Sequence, residues 1–411
     1  MQKVLFISDE SPFSFNHSGA ASYKTSHLML LNQLENLDIY ILSLTKNSGS
    51  HTKDPLVIPG LTFKNISFLN VRFPSAQKVY PLPKTVFKFI FSAKRLTRDS
   101  LIFPTINTTN ICILQRQIDN LKPDIIWAEH IEPLLLASHL QNFTGKIIYS
   151  HHDFLWKLLL IRRRKSKDFI QSFLYYIIQK KAIQKFGRYV VGGASNELQE
   201  IRKINTFSST LYIPTLYPII NLPESSPLPK PLRIIHLGSP KATANRIGVK
   251  NLLCKIIPKL YNQVEFKCYL IGINNTTDHE LHKLLDQPNV ICEGFVDNLE
   301  SVLRPFDIHI LPYNKATGSR TRYSVAMNHG QVLIAHKASI EGIEGLEHNQ
   351  NCIIKNSFEG MVDAIIQLNK NPAERIRIGK NAKRWHDETH QIQTNASILK
   401  QWLLTNNICH D

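Results

Sequence analysis

Three basic residues and one glycine, close together in the last third of the chain, are suited to binding a phosphate or a diphosphate. They are Lys315, Gly318, Arg320 and Arg322, which lie in a predicted loop and in the first turn of the helix after it. A guanidinium group can bind phosphate through two parallel hydrogen bonds, and the N–H groups of a glycine turn and of a helix start add further donors. The alternative interpretation is a solvated basic turn on the protein surface.

The elements around these residues are typical of a parallel sheet. Residues 307–311 form a short apolar run that predicts a buried strand, and residues 332–335 predict a second one. Between them, Ser319 or Thr321 can cap a short helix that ends at Gly330. Ligands in open parallel sheets bind beyond the carboxyl ends of the strands. The basic loop is therefore predicted to lie at the ligand-binding edge of a βαβ unit.

Residues 318–330, Gly-Ser-Arg-Thr-Arg-Tyr-Ser-Val-Ala-Met-Asn-His-Gly, resemble the donor-site segment of the GT-B glycosyltransferases. The resemblance is to the retaining group 1, or family 4, branch. In that branch a Gly-Thr-Arg-x-Lys run leads into Glu-Ala-x-x-x-Gly and an apolar strand. Arg320 lies at the position of the motif's Arg and Arg322 at that of its Lys, while Ala326 and Gly330 match directly.

The sequence departs from this motif at its two glutamates, whose positions are taken by Thr317 and Val325. The resemblance implies a glycosyltransferase that moves a sugar from a nucleoside diphosphate to a glycan, lipid-linked or protein acceptor, in surface polysaccharide or glycoconjugate biosynthesis. The missing glutamates, which in the family serve recognition of the donor ribose, favour an alternative. That alternative is a catalytically weakened protein of the same fold that binds a nucleotide sugar or another polyanion.

The resemblance also implies the α/β GT-B fold, with two Rossmann-like domains that face each other across a cleft. The acceptor-binding domain is expected at 1–216, together with a C-terminal helix at 388–411 that crosses back to it. A linker with five prolines is expected at 217–232, and the donor-binding domain at 233–387. In this family the transfer is retaining and independent of metal, and the nucleotide sugar is a substrate, so no metal and no cofactor are expected.

Individual residues receive roles from the same resemblance. The expected catalytic residues are His152, Asp153, Arg320 and Arg322. The expected donor-binding residues are Gly238, Ser239, Gly318, Ser319, Thr321, Glu341 and Gly342. The expected acceptor-side residues are Ser18, Gly19, Ala20 and Glu129. The arginines would stabilise the charge on the departing diphosphate, and His152, oriented by Asp153, would contact the sugar. The alternatives are structural, because histidines at strand ends and glycines in turns have ordinary roles in folding.

Length, composition and charge restrict the class of protein. A chain of 411 residues is long enough for two or three domains, and 43% hydrophobic and 20% charged residues are typical of a globular protein. The net charge of +17 favours anionic partners: nucleotide phosphates, an anionic membrane surface or nucleic acid. No recognisable nucleic-acid-binding module accompanies the charge, so nucleic acid is an unlikely partner.

The cysteines and the apolar runs indicate the compartment. The six cysteines form no Cys-x-x-Cys pair, which favours free thiols in a reducing compartment over disulfides or a zinc site. The N-terminus opens directly into a strand and has no signal-peptide pattern. No uncharged apolar run approaches the roughly 20 residues of a membrane span. We therefore expect a cytoplasmic protein, soluble or peripheral on the inner face of the membrane.

A strongly basic segment at 162–188 has two interpretations. It contains nine Lys and Arg residues and one acidic residue, Asp168, with aromatic and aliphatic residues between the basic clusters. A basic amphipathic helix of this kind is suited to an anionic membrane surface or to a lipid diphosphate acceptor. An ordinary solvated helix that covers the core with one apolar face is the alternative.

Overall fold

The structure is a computed structural model that describes residues 1–9, 19–44, 65–69, 71, 73, 99–100, 102–162, 166–223, 227–240, 243–273, 279–315, 318 and 320–410. It divides into two compact units. The first comprises Met1–Pro214 and Ile392–Asp411, and the second comprises Thr215–Gln391. Ser18, Thr317 and Ser319, named above from the sequence, lie outside the described residues.

The first unit is built on a seven-stranded parallel sheet with the order β3-β2-β1-β4-β5-β6-β7. The central strand, β1, pairs with β2 on one side and with β4 on the other. Val4, Leu5, Phe6 and Ile7 of this strand are completely buried, as expected for a sheet covered on both faces. The strands are β1 Gln2–Ser8, β2 Leu37–Ser43, β3 Ile66–Phe68, β4 Ile125–Glu129, β5 Lys146–His151, β6 Tyr189–Gly192 and β7 Ser209–Tyr212.

Helices connect these strands, and one more helix returns to the unit from the end of the chain. They are α1 Gly19–Leu31, α2 Thr108–Leu121, α3 Ile131–Ala137, α4 Leu155–Arg162, α5 Ser166–Phe186, α6 Ser195–Ile204 and the terminal helix Ile392–Thr405. Trp402 of the terminal helix donates a hydrogen bond from Nε1 to Ser209 Oγ, at 3.0 Å. The terminal helix begins at Ile392, because residues 388 and 389 still belong to the preceding helix.

The second unit repeats this plan with a six-stranded parallel sheet in the order β10-β9-β8-β11-β12-β13. Its strands are β8 Leu232–Leu237, β9 Phe266–Ile271, β10 Val290–Gly294, β11 Ile308–Leu311, β12 Val332–His336 and β13 Ile353–Lys355. Its helices are α7 Thr243–Asn251, α8 Ile257–Leu260, α9 His279–Leu285, α10 Arg322–Asn328, α11 Lys337–Ile340, α12 Phe358–Lys370 and α13 Pro372–Thr389. A π-helical turn, Leu252–Ile256, joins α7 to α8.

The two central strands of the second sheet are also joined by side chains. Arg233 of β8 donates from Nε to Asp307 Oδ1 at 3.0 Å, just before β11 begins. The backbone N–H of Arg304 donates to the other oxygen of this carboxylate, also at 3.0 Å. The pair fixes β8 and β11 at their amino ends, so that their carboxyl ends, where the predicted phosphate site lies, keep a constant spacing.

Both units therefore have the strand order of doubly wound folds, which confirms the predicted α/β class with two Rossmann-like domains. β8 starts at Leu232, so the last residue of the predicted linker 217–232 already belongs to the sheet. Within the described part of the chain, no helix has the length and apolar composition needed to cross a membrane.

Candidate active site

The glycine turn after β8 brings the backbone into direct contact with an arginine. Gly238 has φ = 132°, a conformation that favours glycine, and its N–H donates to the carbonyl oxygen of Ile271 at 2.9 Å. A Cβ atom on Gly238 would lie 2.7 Å from a terminal nitrogen of Arg322. The absence of a side chain at this residue is thus what allows the guanidinium group to pack against the turn.

Arg322, the first residue of α10, is held in place by two side chains. One terminal nitrogen donates to Tyr313 Oη at 3.1 Å, and the other donates to Asn245 Oδ1. Asn245 in turn donates from Nδ2 to the carbonyl oxygen of Ser239 at 2.8 Å. Asn245 therefore links the guanidinium group to the glycine turn, and Arg322 is positioned without any ligand.

A buried histidine supports Tyr313 from behind. Tyr313 Oη lies 3.3 Å from His236 Nε2, and His236 Nδ1 lies 3.3 Å from the carbonyl oxygen of Ile310. Burial and the nearby Arg322 charge lower the pKa of His236 to about 3, so the ring is neutral. The proton must be on Nδ1 to reach the carbonyl, which leaves Nε2 to accept from the tyrosine. Tyr313 is then oriented to accept from Arg322.

The other predicted donor-site residues that the structure describes lie in the segments that follow β11 and β12. Gly318 is buried with φ = 67°, Arg320 is half-buried, and Thr321 precedes α10 without capping it through its side chain. Glu341 follows α11 and is exposed, and Gly342 has φ = 87°. Ser339 Oγ of the same segment donates to the carbonyl oxygen of Leu311 at 3.0 Å, which holds this loop at the end of β11.

A separate polar cluster lies at the carboxyl end of the first sheet, around Glu129. Glu129 is the last residue of β4, and its side chain is completely buried. Each carboxylate oxygen accepts two hydrogen bonds. The donors are His27 Nδ1 at 2.6 Å, Trp127 Nε1 at 2.6 Å, Ser150 Oγ at 2.8 Å and His152 Nε2 at 2.7 Å. These four bonds occupy the acceptor positions of the carboxylate.

The environment fixes the protonation state of this cluster. Burial by itself raises the pKa of Glu129, but the charge of His27 and the hydrogen bonds from His27 and His152 outweigh it and hold the pKa far below its usual value. Burial lowers the pKa of His152 to about 4, although Glu129 opposes this shift. His152 is therefore neutral at pH 7. Because its Nε2–H donates to Glu129, its Nδ1 is an acceptor.

A second ionised pair lies at the same edge. Asp9 follows β1 and forms an ion pair with Lys24 of α1, whose side chain is buried. His130, which follows β4 with φ = 82°, places Nδ1 3.5 Å from Asp9 Oδ2. Burial raises the pKa of Asp9, but the charges of His130 and Lys24 outweigh it and leave the pKa below its usual value. This edge of the first sheet therefore carries charged and neutral polar groups with fixed orientations.

Comparisons with known proteins agree with this arrangement. Residues 231–371 match the sequence model of a family described as Glycosyl transferases group 1. Among solved structures, sucrose-phosphate synthase from Thermosynechococcus elongatus is similar with a TM-score of 0.69 and 12% identity, over 98% of this chain and 99% of that one. HepE from Anabaena, in complex with UDP and glucose, gives a TM-score of 0.67 and 12% identity over 98% of this chain and 100% of its own.

A glycosyltransferase from Rickettsia africae is similar with a TM-score of 0.61 and 13% identity, over 98% of each chain. A search of curated proteins finds no match. The family match covers most of the second unit, and the structural likeness extends over both units. The chain has the GT-B fold, and residues 231–371 match the model of the group 1 glycosyltransferase family.

The structure explains one departure of the sequence from the expected motif. Val325, at the position of the motif's second glutamate, is only 4% exposed and packs with Ile235, Ile271 and Leu303. A carboxylate would be costly in this apolar cluster. Arg322 was predicted from the sequence, which also offered Asn245 as an available contact to the donor diphosphate, but Tyr313 and His27 were given no role. Tyr313 follows the predicted strand 307–311 almost directly, which is the one signal that could have indicated it.

The predicted residues of the first unit fall into two groups. His152 and Glu129 meet in one cluster, whereas Gly19 and Ala20 are exposed at the start of α1. Asp153 is half-buried beside His152, and its carbonyl oxygen accepts a hydrogen bond of 3.3 Å from Gln179. His151, the residue before His152, has a separate partner: its Nε2 lies 2.8 Å from Glu197 Oε2.

Replacing Gly238 by alanine should weaken binding of a nucleoside diphosphate about 10- to 100-fold, because the new methyl group displaces the Arg322 guanidinium. The backbone conformation adds strain of about 1–3 kcal/mol. Titration with nucleoside diphosphates and thermal denaturation measure the two effects. Gly360→Ala is the control, because Gly360 lies in α12, where the nearest atom to an added Cβ is Ser357 Oγ at 3.3 Å. Unchanged nucleoside diphosphate affinity in Gly238→Ala would contradict the role of the turn.

Proposed function

We propose that the protein transfers a sugar from a nucleoside diphosphate to a glycan, lipid-linked or protein acceptor. The observation that carries the proposal is the prepositioned Arg322, which Asn245 and Tyr313 hold against the Gly238 turn at the carboxyl end of the second sheet. A fixed cation beside a side-chain-free turn suits a diphosphate, since the phosphate oxygens can approach both the guanidinium and the backbone. The UDP complex of HepE supports a UDP-linked donor.

In the proposed reaction, the bond between the anomeric carbon and the diphosphate oxygen breaks, and its electron pair leaves with the diphosphate. An acceptor oxygen bonds to the anomeric carbon, and the acceptor proton passes to the departing diphosphate or to water. Arg322 and Arg320 stabilise the negative charge that develops on the leaving group. These guanidinium groups are proposed to replace the metal ion that other transferases use, so the proposed transfer is metal-independent. The proposed transfer is also retaining, as in the family that the sequence resembles.

Within the first unit, His152 is proposed to bind a sugar hydroxyl. The Nε2–H of His152 donates to Glu129, so Nδ1 of the neutral ring can accept a hydrogen bond from an O–H donor. Glu129, with all its acceptor positions in use, is proposed to orient His152 rather than to touch a substrate. Asp153 keeps its proposed place beside the histidine. The biological setting proposed for this chemistry is surface polysaccharide or glycoconjugate biosynthesis in the cytoplasm, including its membrane surface.

A binding protein without transfer activity is the second candidate, and Val325 favours it. The family motif has a glutamate at this position, whereas Val325 has no carboxylate and makes buried apolar contacts. Such a protein would still use Arg322 and the Gly238 turn to hold a nucleoside diphosphate.

The two functions are separated by incubating the protein with UDP-, GDP-, ADP- and dTDP-linked sugars and a set of glycan and lipid-linked acceptors. We expect one donor to bind saturably in calorimetric titration and to release its nucleoside diphosphate only when a suitable acceptor is present. Mass spectrometry of the acceptor then identifies the added sugar. Saturable binding with no release for any donor and acceptor would instead establish the binding protein.

A further inference from the structure

The outward face of helix α5, Ser166–Phe186, is unusual because its first half is apolar. Phe169, Ile170 and Phe173 are 56%, 42% and 42% exposed. Phe169 and Phe173 are four residues apart and so lie on the same face of the helix, next to each other. Other positions of the helix are buried, and Ile178 and Ile183 pack in the core of the first unit. An isolated exposed apolar residue needs no explanation, but three large apolar residues close together on one helix indicate a binding surface.

Further along the same helix, and just after its end, the exposed residues include basic ones. Lys181, Lys185 and Arg188 are exposed, and the chain has no acidic residue from 169 to 188. The sequence has five more basic residues at 162–167. Along the sequence, basic residues therefore precede and follow the apolar group. We name Phe169, Ile170, Phe173, Lys181 and Lys185 the α5 surface.

The combination of large apolar side chains and flanking lysines matches the surface of an anionic bilayer. Aromatic and aliphatic side chains enter the boundary between headgroups and acyl chains, while basic side chains contact lipid phosphates. A second copy of this chain fits less well, because a symmetric contact would bring the same basic residues together on a protein of net charge +17. Charge complementarity therefore selects a lipid surface as the occupant.

We propose that the α5 surface docks the protein on an anionic lipid bilayer, with Phe169, Ile170 and Phe173 inserted at the interface and the lysines on the headgroup phosphates. The helix lies along the membrane and does not cross it, in keeping with the absence of a spanning helix from the described residues. This docking does not depend on sugar transfer. It would bring the first unit close to lipid-linked acceptors.

Sedimentation of the full-length protein with phosphatidylcholine vesicles, with and without phosphatidylglycerol, tests the proposal. We expect binding at least about tenfold stronger to the anionic vesicles, and weaker binding as salt is added. The double variant Phe169→Ser/Phe173→Ser and the double variant Lys181→Gln/Lys185→Gln should each lower the binding about tenfold.

Phe207→Ser and Lys203→Gln are the matched controls, because Phe207 is 80% exposed and Lys203 is exposed on α6, both outside the α5 surface. Both controls should bind like the unmodified protein. Equal binding to both kinds of vesicle, or no effect of the phenylalanine variant beyond that of Phe207→Ser, would overturn the proposal. So would concentration-dependent dimerisation that the phenylalanine variant abolishes, because it would assign the surface to a second copy. UDP titration of each variant shows separately that the donor site is intact.

Discussion

Replacing Arg322 by alanine should lower kcat/KM for sugar transfer by about 10²–10³-fold, the size of effect expected when one preorganised donor to a developing anion is removed. The loss should be mainly in kcat, because the charge on the diphosphate is largest in the transition state. Release of nucleoside diphosphate under steady-state conditions measures it. Stability should change little, since Arg322 is half-buried and its partners Asn245 and Tyr313 can be reached by water once the guanidinium is gone.

Arg322→Lys separates charge from geometry. Lysine keeps the positive charge but lacks the planar fork that reaches Asn245 and Tyr313 together, so its activity should lie between those of the alanine variant and the unmodified protein. Arg377→Ala is the control: Arg377 is exposed on α13 and paired with Glu374. A turnover of Arg322→Ala within twofold of the control would remove Arg322 from the proposed mechanism.

Replacing Glu129 by alanine should destabilise the first unit by about 3–5 kcal/mol, because it leaves buried donors on four side chains without their acceptor. Urea denaturation followed by tryptophan fluorescence measures the loss, with Trp127 as a reporter inside the cluster. Glu200→Gln is the control, since Glu200 lies at the surface of the same unit in an ion pair with Lys157, and its loss should cost less than about 1 kcal/mol. A loss no larger than the control's would show that the cluster contributes nothing to stability.

Glu129→Gln keeps the shape of the side chain and tests the pH dependence. Because folding lowers the pKa of Glu129, its contribution to stability is present above the unfolded-state value, near 4.5, and is lost as the pH falls. Folding also lowers the pKa of His152 to about 4, so this residue destabilises the folded state as the pH falls from 6.5 towards 4. The glutamine variant should therefore lose less stability than the unmodified protein below pH 4.5, and transfer should slow because His152 is no longer held as an acceptor.

The sequence allowed the fold to be predicted wherever the hydrophobic pattern was continuous. The buried runs at 4–7 and 308–311 became central strands, because a strand covered on both faces needs an uninterrupted apolar stretch. The position of Arg322 beyond a strand end was predictable for the same reason. The break at residues 390–391, which separates α13 from the terminal helix, was not predicted, since neither glycine nor proline marks it.

The polar clusters could not be predicted, because their members are far apart in the sequence. His27 lies about one hundred residues before Glu129, and Asn245 lies 77 residues before Arg322. Each pair meets only because neighbouring parallel strands end at the same edge of a sheet. Val325 was recognised as a departure from the motif, but its packing with Ile235 and Ile271 depends on how α10 lies on the sheet, which local patterns do not specify.

The first unit is discontinuous along the chain, and this has a consequence for synthesis. Its last strand ends at Tyr212, but its final helix begins only at Ile392, after the whole second unit has been translated. The segment after this helix then reaches β1: the N–H of His410 donates to Gln2 Oε1 at 3.1 Å. During synthesis the first unit must therefore leave the ribosome without its terminal helix, so that the face this helix covers is exposed. A premature stop after residue 391 would then damage the first unit and leave the second unit complete.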